Sequence, residues 1–116
     1  MIENFGIGVD IVDIQKFEKI TYLKKPSFYK KTFLPSEIEY CLKFKKPAEH
    51  FAGKFAIKES VKKSINEPLS FLEIETYHSK SKPMVRVNGC NDFSFHISLS
   101  HEENFAIAIA ISEKIS

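Results

Sequence analysis

The strongest helical pattern in the chain lies at residues 47–65, PAEHFAGKFAIKESVKKSI. Apolar side chains recur at helical spacing along this stretch, at Phe51, Phe55, Ile57, Val61 and Ile65. Pro47 suits the first turn of a helix, because the N–H that proline lacks has no partner there. We therefore predict a helix from Pro47 to about Ile65, ended by the Asn-Glu-Pro sequence at residues 66–68.

The last quarter of the chain has the clearest β pattern. Apolar residues alternate first with polar residues and then with alanine, at Phe93, Phe95, Ile97, Leu99, Phe105, Ile107, Ile109 and Ile111. Residues 101–104 between the two segments are predicted to close a hairpin. The alanine face leaves room for another element to pack closely. Strands of this kind together with the long helix indicate an α+β domain, an antiparallel sheet packed around one long helix.

Shorter elements are predicted in the first third of the chain. Gly6 to Val12 is rich in isoleucine and valine, which favours a strand. A helical stretch follows from about Asp13, and Pro26 is expected to end or interrupt it. The sequence Ser-Glu-Ile-Glu at residues 36–39 has the spacing of a capping box, which predicts a short helix starting at Ser36.

Two further strand signals follow the long helix. Residues 71–77 alternate after their first positions, and residues 84–87 form a second short strand. Asn88-Gly89 is a strong turn pair. No repeat or linker divides the chain, so we expect residues 1–116 to form a single domain.

Composition narrows the class of protein. The net charge is only +2, but residues 1–63 hold thirteen lysines against eight acidic residues. A basic half of this kind suits an acidic or phosphate-bearing partner. The modest total and the lack of a nucleic-acid motif argue against nucleic-acid binding. No apolar run is long enough to span a membrane, and the first residues do not resemble a signal peptide, so we expect a cytoplasmic protein in which Cys41 and Cys90 are ordinary thiols.

Two carboxylates are candidate metal ligands. Asp10 ends an apolar strand, where it could cap the following helix or hold a metal. Glu59 precedes Lys63 by one helical turn, so the two could form a simple surface ion pair. If Glu59 instead approaches Asp10, the pair could hold Mg²⁺ with phosphate oxygens completing its shell, and Lys63 could neutralise charge on the same phosphates.

A third group of candidates lies near the end of the chain. Ser98 and Ser100 lead to His101, and a serine-lined strand ending in histidine could offer donors to a phosphate. The alternative is an ordinary polar hairpin loop. Spacing singles out none of the other histidines, His50, His78 and His96. The residues alone therefore indicate only a small α+β domain with a candidate site for phosphate and metal.

Five segments, taken in order, resemble the holo-acyl-carrier-protein synthases, the small bacterial phosphopantetheinyl transferases. They are Gly-Ile-Gly-Val-Asp-Ile at 6–11, Phe-Leu-Pro-Ser-Glu with Tyr-Cys at 33–41, Phe-Ala-Gly-Lys-Phe-Ala-Ile-Lys-Glu-Ser-Val-Lys-Lys at 51–63, Phe-Leu-Glu-Ile-Glu at 71–75 and Ile-Ser-Leu-Ser-His at 97–101. Each motif alone is weak, but five in order at fitting spacing are specific, and they span nearly the whole chain.

The resemblance implies the phosphopantetheinyl transferase fold and a homotrimer with active sites between subunits. It implies coenzyme A as donor, an acyl carrier protein as acceptor and Mg²⁺ as cofactor, held by Asp10 and Glu59. Lys63 matches the lysine that contacts the pyrophosphate. The remaining cofactor-binding candidates implied by position are Lys54, Lys82, Pro83, Ser98, Ser100 and His101, with Lys54 and His101 near the 3′-phosphate. A relative that binds coenzyme A or a nucleotide without catalysis is the alternative.

Several positions depart from the family pattern. Lys16 and Lys54 stand where the family usually has arginine, and lysine keeps the charge but loses the bidentate fork. Asn-Glu-Pro at residues 66–68 replaces the usual glycines after the long helix. The stretch 88–92 is short, so a helix before the last hairpin is expected to be missing. These departures affect the edges of the substrate pocket.

Overall fold

The long helix and the strands around it organise the chain. The computed structural model describes residues 4–115. The elements within this range are β1 (Phe5–Asp13), α1 (Ile14–Lys19), α2 (Pro26–Thr32), α3 (Pro35–Leu42), α4 (Pro47–Ser64), a 3₁₀ turn (Phe71–Glu73), β2 (Ile74–Ser79), β3 (Lys82–Val87), β4 (Phe93–His101) and β5 (Phe105–Lys114). No helix within residues 4–115 is both long and apolar enough to cross a membrane.

The sheet built from the two ends of the chain covers one side of α4. Its strand order is β1-β5-β4 with antiparallel pairing throughout, and β2 and β3 form a separate antiparallel hairpin. The alanine face of β5 turns toward α4, and Ala106, Ala108 and Ala110 are completely buried. Both the predicted hairpin and the close packing on its small residues are confirmed, as is the α+β class.

Two glycines on β1 let the strand touch the backbone of α4. A β-carbon built on Gly6 would lie 1.8 Å from the carbonyl oxygen of Ser64, and one on Gly8 would lie 1.9 Å from that of Ser60. No side chain fits at such distances, so these positions need glycine for space and not for backbone conformation. The contact places the first half of β1 directly against the last two turns of α4.

Gly8→Ala is therefore expected to destabilise the fold by about 1–3 kcal/mol, because the methyl group must push β1 away from α4. Gly53→Ala is the matched control on α4, since its new β-carbon meets only the flexible Leu99 side chain, at 3.2 Å. Urea unfolding of both variants checks the difference. Equal midpoints for the two proteins would contradict the close approach.

An aromatic core fixes the opposite end of α4. Phe17, Tyr29, Phe33 and Phe51 are each at most 2% exposed, and they come from or directly follow α1, α2 and α4. Tyr29 contacts Phe51 edge to face, with 4.7 Å between ring centroids. This cluster joins the small helices to the long one, so the helical layer is held by side chains and not by a sheet.

Several predicted boundaries in the first third were wrong. Asp10 caps no helix: Asp13 is the N-cap, and its carboxylate accepts a hydrogen bond from the Gln15 N–H. Pro26 opens α2 instead of only ending a helix, as a proline at the first helical position can. The short helix starts at Pro35, not at Ser36.

The second half is closer to prediction. The helix predicted from Pro47 to about Ile65 ends at Ser64. Residues 71–73 form the 3₁₀ turn, so the predicted strand begins only at Ile74. No helix separates β3 from β4, as expected from the short stretch 88–92.

Candidate active site

The first candidate group lies where β1 approaches α4. Asp10 is on the inner face of β1, two residues after Gly8, with its side chain 14% exposed. Lys63 on α4 donates a hydrogen bond to the Asp10 carboxylate, with 2.9 Å between Nζ and Oδ1, and a second to the Val9 carbonyl oxygen at 3.3 Å. The structure thus joins two residues that are 53 positions apart in the sequence.

Glu59 belongs to the same group. It lies one turn before Lys63 on α4 and is half-buried. The hydrogen bond to Asp10 raises the pKa of Lys63, and the negative charges of Asp10 and Glu59 raise it further. Lys63 therefore stays protonated at neutral pH and interacts with both carboxylates. The simple surface ion pair of Glu59 with Lys63 alone, which the sequence also allowed, is not what the structure has.

This donor set fits magnesium. Mg²⁺ takes one or two protein carboxylates and completes its octahedron with water and phosphate oxygens. Asp10 and Glu59 offer two carboxylates from two elements, and Lys63 provides a positive charge beside them. Within residues 4–115, no group of three or more histidine, cysteine or acidic side chains converges as a closed protein metal site would require. The arrangement can hold a hard cation only together with an oxygen-rich ligand.

A second candidate group surrounds a cavity of about 130 Å³ between α3, α4 and strands β2–β4. We call it the histidine cavity; its lining includes Tyr40, His50, Lys54, Thr76, His78, Pro83 and His101. Lys54 is only 5% exposed, and its Nζ donates to Thr76 Oγ1 at 2.9 Å and to the Thr76 carbonyl oxygen at 3.3 Å. Of the predicted residues, the structure therefore brings Lys54, Pro83 and His101 together.

Three predicted residues lie elsewhere. Lys82 starts β3 and is exposed to solvent. Ser98 and Ser100 face away from α4, because they are paired with Ile109 and Ile107 on the outer face of the sheet. His101 has the opposite orientation, since alternate residues of a strand point to opposite faces. Within one chain, the two serines and His101 do not form one site.

Sequence reasoning missed a buried ion pair beside the site. Lys58 and Glu37 are 0% and 1% exposed in their side chains, and Lys58 Nζ lies 2.6 Å from Glu37 Oε1. The second Glu37 oxygen accepts hydrogen bonds from the Thr76 N–H and hydroxyl, at 2.8 and 2.6 Å. The pair ties α3 and β2 to α4 next to Glu59. The available sequence signal was the position of Lys58 between the apolar residues Ile57 and Val61 of the long helix.

Comparisons with known proteins agree with this architecture. The model of the 4′-phosphopantetheinyl transferase superfamily matches residues 6–110. The holo-(acyl-carrier-protein) synthase of Syntrophus aciditrophicus is 38% identical over 124 aligned residues, which cover 93% of this chain and 94% of that protein.

Solved structures of similar proteins have the same fold. A Bacillus anthracis holo-(acyl-carrier-protein) synthase in complex with CoA (3′,5′-ADP) superimposes with a TM-score of 0.81 at 28% identity, covering 94% of this chain and 96% of that one. The Helicobacter pylori synthase in complex with coenzyme A gives a TM-score of 0.77 at 34% identity, covering 92% and 99%. This chain therefore belongs to the 4′-phosphopantetheinyl transferase superfamily, as a member of its holo-(acyl-carrier-protein) synthase family.

Proposed function

We propose that this protein transfers the 4′-phosphopantetheine group of coenzyme A to a serine of an apo-acyl carrier protein and releases adenosine 3′,5′-bisphosphate. The observation that carries the proposal is the group of Asp10, Glu59 and Lys63 at the junction of β1 and α4, in a chain of this family. Relatives with known structures hold coenzyme A. Two carboxylates and a lysine suit the pyrophosphate of such a donor.

The residues have distinct roles in the proposed reaction. The carrier serine attacks the β-phosphorus, the bond from that phosphorus to the bridging oxygen breaks, and the bisphosphate leaves. Asp10 and Glu59 would hold Mg²⁺, which neutralises pyrophosphate charge when bound. Lys63 donates to the same phosphates. The serine proton passes to a carboxylate, and Glu59 is the better candidate because Lys63 already holds an Asp10 oxygen.

Mass spectrometry tests this function directly. Apo-acyl carrier protein incubated with the protein, coenzyme A and Mg²⁺ is expected to gain the mass of one phosphopantetheine. The carrier alone, with coenzyme A and Mg²⁺, is the control. If several carriers gain no mass while coenzyme A still binds, the protein is a non-catalytic coenzyme A-binding relative and the proposal is wrong.

We also propose that the outer face of the β1-β5-β4 sheet is the surface on which copies of the chain assemble into a trimer. This face is apolar and exposed, between 37 and 71% at Phe5, Ile7, Val9, Ile11, Phe105, Ile107, Ile109 and Ile111. A contiguous apolar surface of this kind marks an interaction site. Ser98 and Ser100 lie on the same face, so assembly would bring them to a neighbouring subunit's site.

The expected result in analytical ultracentrifugation is a mass of three chains. Ile7→Lys combined with Ile109→Lys is expected to give a monomer that no longer modifies the carrier, because charge on this face opposes its burial. Leu23→Lys adds the same charge at a side chain that is 90% exposed outside the sheet, and it should remain trimeric. A monomeric parent protein that is fully active would contradict the trimer.

The basic first half is proposed to guide docking of the acidic carrier. The lysines concerned are Lys16, Lys19, Lys24 and Lys25. Lys16 Nζ lies 4.8 Å from the centre of the Phe55 ring, so it is held close to the helix that carries Glu59. A cytoplasmic location and a single domain over residues 1–116 stay predictions from the sequence.

A further inference from the structure

Lys54 is a buried cation without a carboxylate partner. Among the described residues, no acidic oxygen lies within 4.0 Å of its Nζ, whereas the equally buried Lys58 has Glu37 at 2.6 Å. Both Lys54 hydrogen bonds go to one residue, Thr76, which leaves one of its three N–H donors for the cavity. A buried charge is costly unless it is paired. The cavity beside Lys54 is therefore suited to an anion.

Two histidines border the cavity, and each lies beside an aromatic ring. The His50 ring stacks on Phe44, with 3.7 Å between centroids and an angle of 17°. The His78 ring stacks on Tyr40, at 5.5 Å and 27°. Lys54 Nζ lies 4.8 Å from the centre of the same Tyr40 ring. The close stack on Phe44 restricts the half-buried His50 ring, which lowers the entropy lost when that ring binds a ligand. His78 contacts Tyr40 at a longer distance and is exposed to solvent.

We propose that His50 and His78 are specificity determinants for a phosphate monoester bound beside Lys54, and that their contribution to its affinity increases as the two histidines take up protons. The inference rests on the proposed function, in which coenzyme A is the donor and its 3′-phosphate is the monoester. The resemblance places Lys54 and His101 near that phosphate; His50 and His78 are the additional determinants that this chain supplies. They would help the protein select coenzyme A over its 3′-dephospho form.

The charges around the cavity give the direction of the pH dependence. Besides the two histidines themselves, the charged and titratable groups that line the cavity are Tyr40 from α3, Glu49 and Lys54 from α4, Tyr77 from β2 and His101 from β4. Burial lowers the pKa of His78, and the charge of Lys54 lowers it further. Burial also lowers the pKa of His50; the charge of Glu49 opposes this, and His101, Lys54 and His78 add to it.

A bound phosphate reverses these shifts. A dianion beside an imidazole favours the protonated ring, so binding raises both histidine pKa values. Affinity then increases as the pH falls through the bound-state pKa values and levels off below those of the free protein. A phosphate monoester itself loses charge below a pH of about 6, which works in the opposite direction. Only a comparison with a variant that lacks the histidines separates the two effects.

Calorimetric binding of adenosine 3′,5′-bisphosphate and of 5′-AMP tests the inference. The measured quantity is the ratio of the two affinities, which isolates the 3′-phosphate, at pH values of about 6 and about 8. In the parent protein this ratio should be larger at the lower pH. His50→Asn combined with His78→Asn should reduce the ratio at the lower pH by about tenfold or more, because each protonated ring donates a charge-assisted hydrogen bond. At the higher pH the change should be small.

Lys31→Asn is the matched control. Lys31 is exposed on α2, outside both the histidine cavity and the β1-β5-β4 sheet, and its replacement should leave both ratios unchanged. Identical pH profiles for the parent and the double variant, or no preference for the bisphosphate in the parent, would overturn the inference. If the double variant fails to fold, each single replacement should reduce the affinity ratio at the lower pH by a smaller factor. An unchanged ratio in both single variants would also overturn the inference.

The outcomes also separate this inference from the proposed function. Carrier modification with an unchanged binding profile in the double variant would reject the histidine subsite and keep the transferase. A histidine-dependent preference for the bisphosphate without carrier modification would keep the histidine subsite and reject the transferase. It would indicate a protein that only binds coenzyme A.

Discussion

Asp10→Asn and Glu59→Gln are each expected to lower the rate of carrier modification by about 10³-fold, because each removes a negative charge from the group that would hold the metal at the pyrophosphate. Both replacements keep the size of the side chain, so the fold should persist. Asp10 contacts Lys63 at the edge of the site, and Glu59 is half-buried, so neither supports the apolar core. The rate is measured by mass spectrometry of the carrier at several Mg²⁺ concentrations.

Asp13→Asn is the control for this prediction. Asp13 lies on the same strand, three residues further on, and caps α1 with its carboxylate. Asparagine serves equally well as a helix cap, so both activity and stability should be kept. Removing Mg²⁺ with a chelator should abolish the parent activity to the same extent as the Asp10 replacement. Full activity in either site variant would mean that the two carboxylates do not serve the reaction.

Elements with a regular pattern were predictable from the sequence, and those fixed by distant contacts were less so. The helix at 47–64 and the β4–β5 hairpin have long periodic runs of apolar residues, and both were predicted nearly to the residue. The helix opened by Pro26 has no such run, because its stability comes from Tyr29 packing into the aromatic core. The sequence pattern therefore predicts that Pro26 ends or interrupts a helix, whereas in the structure it starts one.

The candidate site shows the same limit. The pairing of Asp10 with Lys63 follows from the close contact of β1 with α4, which depends on two glycines that meet the helix backbone. The sequence suggested the residue types but could not supply that contact. Ser98 and Ser100 looked like neighbours of His101, yet strand alternation puts them on the other face of the sheet.

Lys58→Met is expected to destabilise the protein by about 3–5 kcal/mol, the usual cost of removing one partner of a buried ion pair. The Lys58 and Glu37 side chains are 0% and 1% exposed, so the remaining carboxylate would stay away from water without its cation. Lys58 also donates to the carbonyl oxygens of Thr32 and Phe71, which would lose a donor. In a thermal melt the expected decrease of Tm is about 10–20 °C.

A double-mutant cycle separates the ion pair from simple loss of packing. Glu37→Gln alone should also be strongly destabilising, whereas the double variant with Lys58→Met should lose at least about 1 kcal/mol less than the sum of the single losses, because neither charge then remains buried alone. Arg86→Met is the control, since its pair with Glu75 has the same kind of contact, at 2.9 Å, but is 63% exposed on the arginine side. That surface pair should contribute no more than about 1 kcal/mol. Equal losses for Lys58→Met and Arg86→Met would show that the buried pair does not hold α3 and β2 to the helix that carries Glu59.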